Sequence, residues 1–178
     1  HRTFSATQQQ WIGRERKRGK LEQLVAALVT GVPGVFTDLG SLSQLARDTR
    51  YVLTLDSDTP LPPGRLRTLV GVAEHPENQP RLDATGQRVV QGYGILQPRV
   101  LSPLPAQAAT SLWQWLFAGQ QGLDPYSAMT SDVYQDFFSE GSFTGKGLLN
   151  VAAVHAVLGG RLPENQVLSH DLLEGALA

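Results

Sequence analysis

The chain has 178 residues, of which 41% are hydrophobic and 17% are charged, and its formal net charge is −1. This size and composition are typical of one globular domain or of part of a larger one, and the charge balance gives no reason to expect nucleic-acid binding. The chain contains no cysteine, which excludes disulfides and thiolate metal sites. Its apolar runs are all shorter than the roughly 18 residues that a membrane span requires, so we expect the segment itself to be soluble.

The first predicted element is a helix over residues 8–29. Leu21, Leu24, Val25 and Leu28 recur at the spacing of one helical face. Such a stripe predicts that the helix packs against a core along this face.

A basic run precedes that stripe, with five basic residues among the seven from 14 to 20. Positive charge at the start of a helix opposes the helix dipole, so helix stability does not explain the run. Two interpretations remain: a solvated surface, or a nearby anionic ligand that Lys17 and Lys20 would contact.

The next predicted element is a buried strand over Tyr51–Leu55 that ends in two carboxylates, Asp56 and Asp58. Ligands of open α/β sheets bind just beyond strand carboxyl ends, and carboxylate oxygens are the ligands that Mg²⁺ and Mn²⁺ prefer. The pair therefore predicts either a divalent-metal site or, more simply, an Asp-rich turn.

The remaining predicted elements alternate between helices and strands. A helix is expected after the proline-rich connector at residues 60–63, a hairpin turns at Gly86, and a strand continues from residue 89 to 99. Asn150 is the predicted cap of a helix over residues 151–158. This alternation predicts an α/β fold with a mixed, mostly parallel sheet flanked by helices.

Two enzyme classes place two aspartates, separated by one residue, after an apolar strand. In haloacid-dehalogenase phosphatases the first aspartate is the nucleophile, but Pro60 stands where that motif needs Thr or Val. Glycosyltransferases with a GT-A fold use the pair to hold a metal on the diphosphate of a nucleotide sugar. A P-loop over residues 141–147 is rejected, since its glycines lie one residue too close and Gly147 replaces the metal-binding hydroxyl residue.

Six motifs in a fixed order closely resemble the glycosyltransferase domain of bacterial cyclic β-1,2-glucan synthases. The likeness runs from about Trp11 to Glu174, nearly the whole chain. The motifs are GRERKRGKL at 13–21, LDSDT at 55–59, GYGILQPR at 92–99, SDVYQD at 131–136, EGSFTGKG at 140–147 and LSHDLLEG at 168–175.

The resemblance implies a GT-A-like (Rossmann-like) fold and inverting transfer of glucose from UDP-glucose to a growing β-1,2-glucan acceptor. It implies that Asp56 and Asp58 bind Mg²⁺ or Mn²⁺ and the donor diphosphate. Asp171 matches the catalytic base of related synthases, although Ser169 and His170 depart from the Thr-Glu often found before that base. The resemblance further implies a larger membrane-bound synthase, with this domain at the cytoplasmic face of the bacterial inner membrane.

Further substrate-binding residues follow from the same comparison of motifs. Some match segments that line the acceptor channel, and some could balance charge on the leaving diphosphate. These candidates are Gln97, Arg99, Gly145, Lys146, Lys17 and Lys20.

Residues 1–178 are expected to form the central piece of a single GT-A-like catalytic domain that continues at both ends. A strand and helix for the nucleotide base would precede the chain, so the chain alone is expected to be inactive. Two alternatives stay open at this point: a haloacid-dehalogenase-like phosphatase, and a non-catalytic module that only binds a nucleotide sugar or glucan.

Overall fold

A computed structural model describes residues 3–5, 9–12, 16–32, 36–46, 48–57, 59–98, 111–113, 133–138, 141, 143–163 and 170–178. Within these ranges, no helix combines the length and apolar character needed to cross a membrane.

The described strands and helices are short and alternate irregularly along the chain. The strands are β1 (Thr3–Ser5), β2 (Gln10–Ile12), β3 (Tyr51–Thr54), β4 (Arg81–Leu82), β5 (Val89–Gln91), β6 (Ile95–Leu96) and β7 (Gly147–Asn150). The helices are α1 (Arg16–Thr30), α2 (Arg65–Ala73), α3 (Val133–Phe138), α4 (Val151–Leu158) and α5 (Asp171–Leu177), with a 3₁₀ helix at Gly40–Ser43.

The largest sheet has the strand order β3-β7-β6, and both of its strand pairs are antiparallel. Tyr51 lies opposite Asn150 and Thr54 opposite Gly147. Two further pairs, β1-β2 and β4-β5, are also antiparallel. The prediction of a mostly parallel, Rossmann-like sheet is therefore wrong for the described residues.

The wrong prediction of strand direction has a physical cause. A strand covered on both faces is apolar along its length whether its neighbours run parallel or antiparallel, so composition does not encode strand direction. Direction is set here by the pairing of β3 with β7, whose partners are more than ninety residues apart in sequence. In the described sheet β7 lies in the middle, and β3 lies at one edge.

The hydrophobic core lies where α4 and β7 meet α1. Val25 of α1 packs in one cluster with Leu149, Val154 and Val157, and all of these side chains are buried. Val25 belongs to the predicted apolar stripe, which confirms that this face of α1 points to the core. The helix itself begins at Arg16, since residues 10–12 form strand β2 instead.

Other local predictions have mixed outcomes. The hairpin is confirmed, with β4 and β5 joined through Gly86 at φ +70°. Asn150 caps α4 by accepting a hydrogen bond from Ala153 N at 3.1 Å. The strand predicted over 89–99 is instead divided into β5 and β6, because Gly92 adopts φ +70° between them.

Gly86 and Gly92 both have φ +70°. Alanine substitution at each of them tests why the strand is divided at Gly92. A methyl group at Gly92 would overlap the Gln79 carbonyl, whereas one at Gly86 meets nothing within 4 Å. We expect Gly86→Ala to lower the free energy of unfolding by about 1–2 kcal/mol, the usual cost of alanine at positive φ. Gly92→Ala should cost about 1–3 kcal/mol more, because the Gln79 backbone must also move. Urea unfolding of the two variants measures the difference, and equal losses would contradict the close contact.

Candidate functional site

Asp56 lies two residues after the end of strand β3, and each of its carboxylate oxygens accepts a hydrogen bond from a lysine. Lys17 Nζ lies 2.7 Å from Oδ1, and Lys146 Nζ lies 2.9 Å from Oδ2. The Asp56 side chain is 43% exposed and that of Lys146 is 25% exposed. We call Lys17, Asp56 and Lys146 the Asp56 ion cluster; its formal charges sum to one positive charge at a solvent-accessible strand end.

Lys17 joins three parts of the fold at one ammonium group. Besides Asp56, it donates to the carbonyls of Leu55 at 3.3 Å and Gly145 at 3.1 Å. An ammonium has three N–H donors, so these acceptors match its full capacity. The first turn of α1, the end of β3 and the loop before β7 are thereby held together.

The two lysines change the acidity of the carboxylate between them. Hydrogen bonds from Lys17, and next from Lys146, lower the pKa of Asp56 from 3.8 to about 2. Charge-assisted hydrogen bonds favour the ionised form of a carboxylate. Asp56 is therefore an anion at neutral pH, with both of its oxygens paired to ammonium groups.

The loop before β7 is fixed to β3 through Thr54, a buried hydroxyl. Thr54 Oγ1 accepts from Gly147 N at 3.2 Å and lies 3.2 Å from the Gly147 carbonyl and 3.4 Å from that of Gly145. On the other side, Gln97 Oε1 accepts from Thr144 N at 2.7 Å and Thr144 Oγ1 at 3.0 Å. This loop carries Lys146, so both contacts set the position of that lysine.

Asp171 lies beside the same loop, at the start of α5. A methyl group placed on Gly145 would be 3.5 Å from Asp171 Oδ1, so the glycine backbone and the carboxylate are neighbours. The approach depends on Gly141 and Gly175, where Gly141 N donates to the Gly175 carbonyl at 3.1 Å and a Cβ on Gly175 would overlap the Gly141 carbonyl. Small residues at this contact therefore place Asp171 near the Asp56 ion cluster.

A cavity of about 100 Å³ lies between α1, α4, α5 and the loop. Lys17, Gly145, Asp171 and Glu174 contribute to its lining, together with apolar side chains of the core. Typical ligand pockets have volumes of roughly 300–1,000 Å³, so this cavity is too small for a whole nucleotide sugar. A whole nucleotide sugar would have to bind outside this cavity.

Glu174 is a half-buried carboxyl group of that cavity. Burial, and then repulsion from Asp171, raise the pKa of Glu174 from 4.5 to about 7. Arg18 opposes this increase, and Glu22 adds to it. Glu174 can therefore carry a proton near neutral pH, one helical turn from Asp171.

The structure brings together five of the predicted site residues: Asp56, Lys17, Lys146 and Gly145 directly, and Asp171 through Gly145. Gln97 is joined indirectly, since it binds the backbone of the lysine-bearing loop. Asp58 and Arg99 lie outside the described residues, and their predicted roles stay predictions.

Lys20 is exposed on α1, and among the described side chains no hydrogen bond or ion pair connects it to the cluster. The basic run therefore divides: Lys17 faces Asp56, and Arg18 faces Glu22 at 3.5 Å. Among the described side chains of the run, Lys17 contacts the candidate site.

Two contributors to the site were not assigned a role from the sequence. Thr54 is a hydroxyl within an otherwise apolar strand, and that interruption is a signal for a specific hydrogen bond. Glu174 lies three residues after Asp171, a spacing that places both on one helical face. The hydroxyl in the strand could have identified Thr54, and the three-residue spacing from Asp171 could have identified Glu174.

The carboxylate oxygens of Asp56 meet some of the requirements of a divalent-metal site. Carboxylate oxygens are hard ligands, yet the described residues contain no group of three or more His, Asp or Glu side chains that could hold an ion. Mg²⁺ in proteins commonly uses one or two carboxylates and completes its shell with phosphate oxygens and water. The residues present therefore fit a metal that arrives with a phosphorylated ligand.

Comparison with known proteins agrees with the motif resemblance. No protein-family model matches the chain. The chain is 45% identical over 177 residues to the cyclic beta-(1,2)-glucan synthase NdvB of Rhizobium meliloti (strain 1021). The match covers 99% of this chain and 6% of the synthase. It supports the cyclic β-1,2-glucan synthase family and does not favour the phosphatase alternative.

The raised pKa of Glu174 predicts a pH-dependent stability. Because the protonated form is favoured in the folded state, its stabilisation is complete below pH 4.5 and is lost as pH rises through about 7. We expect Glu174→Gln to remove up to about 3 kcal/mol of the stability difference between pH 4.5 and 7.

Urea unfolding at several pH values measures this effect. Arg18, Glu22, Asp171 and His155 also border the cavity, so the comparison is between wild type and Glu174→Gln at each pH. Parallel stability curves for the two proteins would show that Glu174 is not responsible.

Thr54 allows a separate test of the loop attachment. Thr54→Val keeps the shape but leaves the Gly147 N–H without this acceptor, which should cost about 1–3 kcal/mol. Thr54→Ser keeps the hydroxyl and loses one methyl group, at about 0.8 kcal/mol. Chemical unfolding compares the variants; a serine variant as unstable as the valine variant would remove the hydrogen-bond explanation.

Proposed function

We propose that this chain forms part of an inverting glucosyltransferase that transfers glucose from UDP-glucose to a β-1,2-glucan acceptor within a cyclic β-1,2-glucan synthase. The observation that carries the proposal is the position of Gly145. Its carbonyl accepts from Lys17 of the Asp56 ion cluster, and its Cα faces Asp171. The 45% identity to the synthase of Rhizobium meliloti supports the same assignment.

Asp171 is the proposed catalytic base. In an inverting transfer, the acceptor hydroxyl loses its proton as its oxygen bonds to the glucose C1, while the bond from C1 to the diphosphate oxygen breaks. Asp171 accepts that proton, and UDP leaves on the opposite face of the sugar. A carboxylate close to the loop, rather than within the Asp56 ion cluster, suits this division of roles.

The Asp56 ion cluster is the proposed site of the donor diphosphate. Lys146 would stabilise negative charge that grows on the leaving diphosphate, and Lys17 would hold the loop in place. Asp56 and Asp58 would hold Mg²⁺ or Mn²⁺, which supplies additional neutralisation of that charge when bound.

The remaining predicted substrate-binding residues are Gln97, Arg99 and Lys20. Gln97 sets the loop position, and Arg99 is proposed to contact the acceptor or donor. Lys20 is a weaker candidate because it is exposed away from the cluster. We propose that the rest of the synthase completes the donor and acceptor sites, at the cytoplasmic face of the bacterial inner membrane. The proposed chemistry does not require a parallel sheet.

Substitution of the two aspartates in the full-length synthase tests this function. Asp56→Asn and Asp171→Asn should each reduce transfer of labelled glucose from UDP-glucose by about a hundredfold or more, because general-base and charge-stabilising groups typically contribute that much. Incorporation of label into glucan by membranes that contain each variant is the measurement.

Asp83→Asn is the matched control, since Asp83 belongs to the β4-β5 hairpin turn, where Thr85 and Gln87 donate to it. This variant should keep near-normal transfer. Full activity of Asp56→Asn or Asp171→Asn, with normal protein levels, would contradict the proposed function.

A further inference from the structure

The Asp56 carboxylate is already paired with positive charge in the structure. Both oxygens bind ammonium groups, at 2.7 Å and 2.9 Å. A divalent cation that binds either oxygen must therefore displace a lysine or share its oxygen. Sharing is unfavourable, because the ion would lie within a few ångströms of a like charge.

The displaced ammonium would then need a new anionic partner. A diphosphate that enters with the metal supplies one, since its oxygens can bind both the metal and a lysine. Metal alone would leave an excess of positive charge, and diphosphate alone would have to compete with Asp56 for the lysines. Each ligand therefore removes the obstacle to the other.

We infer that Lys146 and Lys17 act as an internal cation for Asp56, so that a divalent metal and an anionic diphosphate bind to this site together and only weakly apart. The inference rests on the proposed function for the identity of the diphosphate. The two lysines thereby decide which combination of ligands the site accepts.

The two lysines differ in how readily they can be displaced. Lys17 also binds the backbone carbonyls of Leu55 and Gly145, so its departure would break a contact to the strand end and one to the loop. Lys146 belongs to the loop, which Lys17, Thr54 and Gln97 also hold, so its ammonium can leave Asp56 while the loop stays in place. We therefore assign the exchange of Asp56 for a diphosphate oxygen to Lys146, and Lys17 is a positioning residue.

The test compares ligand affinities of the chain with Lys146→Met, which removes the charge and keeps much of the volume. Mn²⁺ binding without nucleotide is followed by the electron paramagnetic resonance signal of the free ion. Pyrophosphate binding without metal is measured by calorimetry in the presence of a chelator. Arg67→Met, which removes an exposed cation of α2 that has no assigned role in the site, is the control.

The inference predicts opposite changes for the two probes. Lys146→Met should tighten Mn²⁺ binding about tenfold, because one competing positive charge is removed, and weaken pyrophosphate binding about tenfold. The gain in Mn²⁺ affinity should disappear when Asp56→Asn is added. Arg67→Met should change neither affinity.

Unchanged or weaker Mn²⁺ binding by Lys146→Met would overturn the inference, and so would Mn²⁺ binding that is undetectable in both proteins. Lys17→Met provides a second variant; thermal unfolding establishes whether it is folded, and it should shift Mn²⁺ affinity in the same direction as Lys146→Met.

The affinity measurements and the glucan-synthesis measurement can fail independently of each other. If the affinities change as predicted but Asp56→Asn retains glucan synthesis in the full-length synthase, the pairing is correct and the glucosyltransferase assignment is wrong. If Asp56→Asn abolishes synthesis while Lys146→Met leaves Mn²⁺ affinity unchanged, the function stands and this inference fails.

Discussion

The ion pairs of Asp56 with Lys17 and Lys146 are the interaction on which the candidate site depends. Surface ion pairs usually contribute little to stability, and Asp56 is 43% exposed. Their importance lies in what they connect: the first turn of α1, the end of β3 and the loop before β7. Without Lys17 between the Asp56 carboxylate and the Gly145 carbonyl, that loop would lose one link to the strand end and depend on its contacts with Thr54 and Gln97.

The packing around this cluster explains why Asp171 belongs to the same site. Gly141 and Gly175 allow α5 to approach the loop closely, and Gly145 faces the Asp171 carboxylate. Behind them, Phe143 and Leu149 belong to the buried core that joins α1, α4 and β7. The hydrophobic core thus supports the loop from one side, while polar contacts hold it from the other. This packing places the Asp171 carboxylate of α5 next to the loop that carries Lys146.

The sequence predicts the local parts of this arrangement well. The apolar stripe of α1, the Gly86 turn and the Asn150 cap are each encoded by a few neighbouring residues, and all are present. The predicted strand before Asp56 exists as β3, but its antiparallel pairing with β7 could not be derived, because apolar composition is the same for either direction. Likewise, the basic run was compatible with a solvated surface or a nearby anionic ligand, and only the fold shows that Lys17 contacts Asp56.

The central claim is that Asp56, Gly145 and Asp171 face one bound ligand. Paramagnetic broadening of backbone amide signals by Mn²⁺–UDP tests it most directly, because the effect falls steeply with distance from the ion. The account predicts that added Mn²⁺–UDP broadens the amides of Asp56, Gly145 and Asp171 first, while that of Gly86 in the hairpin stays sharp. Broadening centred elsewhere, or broadening at Asp56 that spares both Gly145 and Asp171, would contradict it.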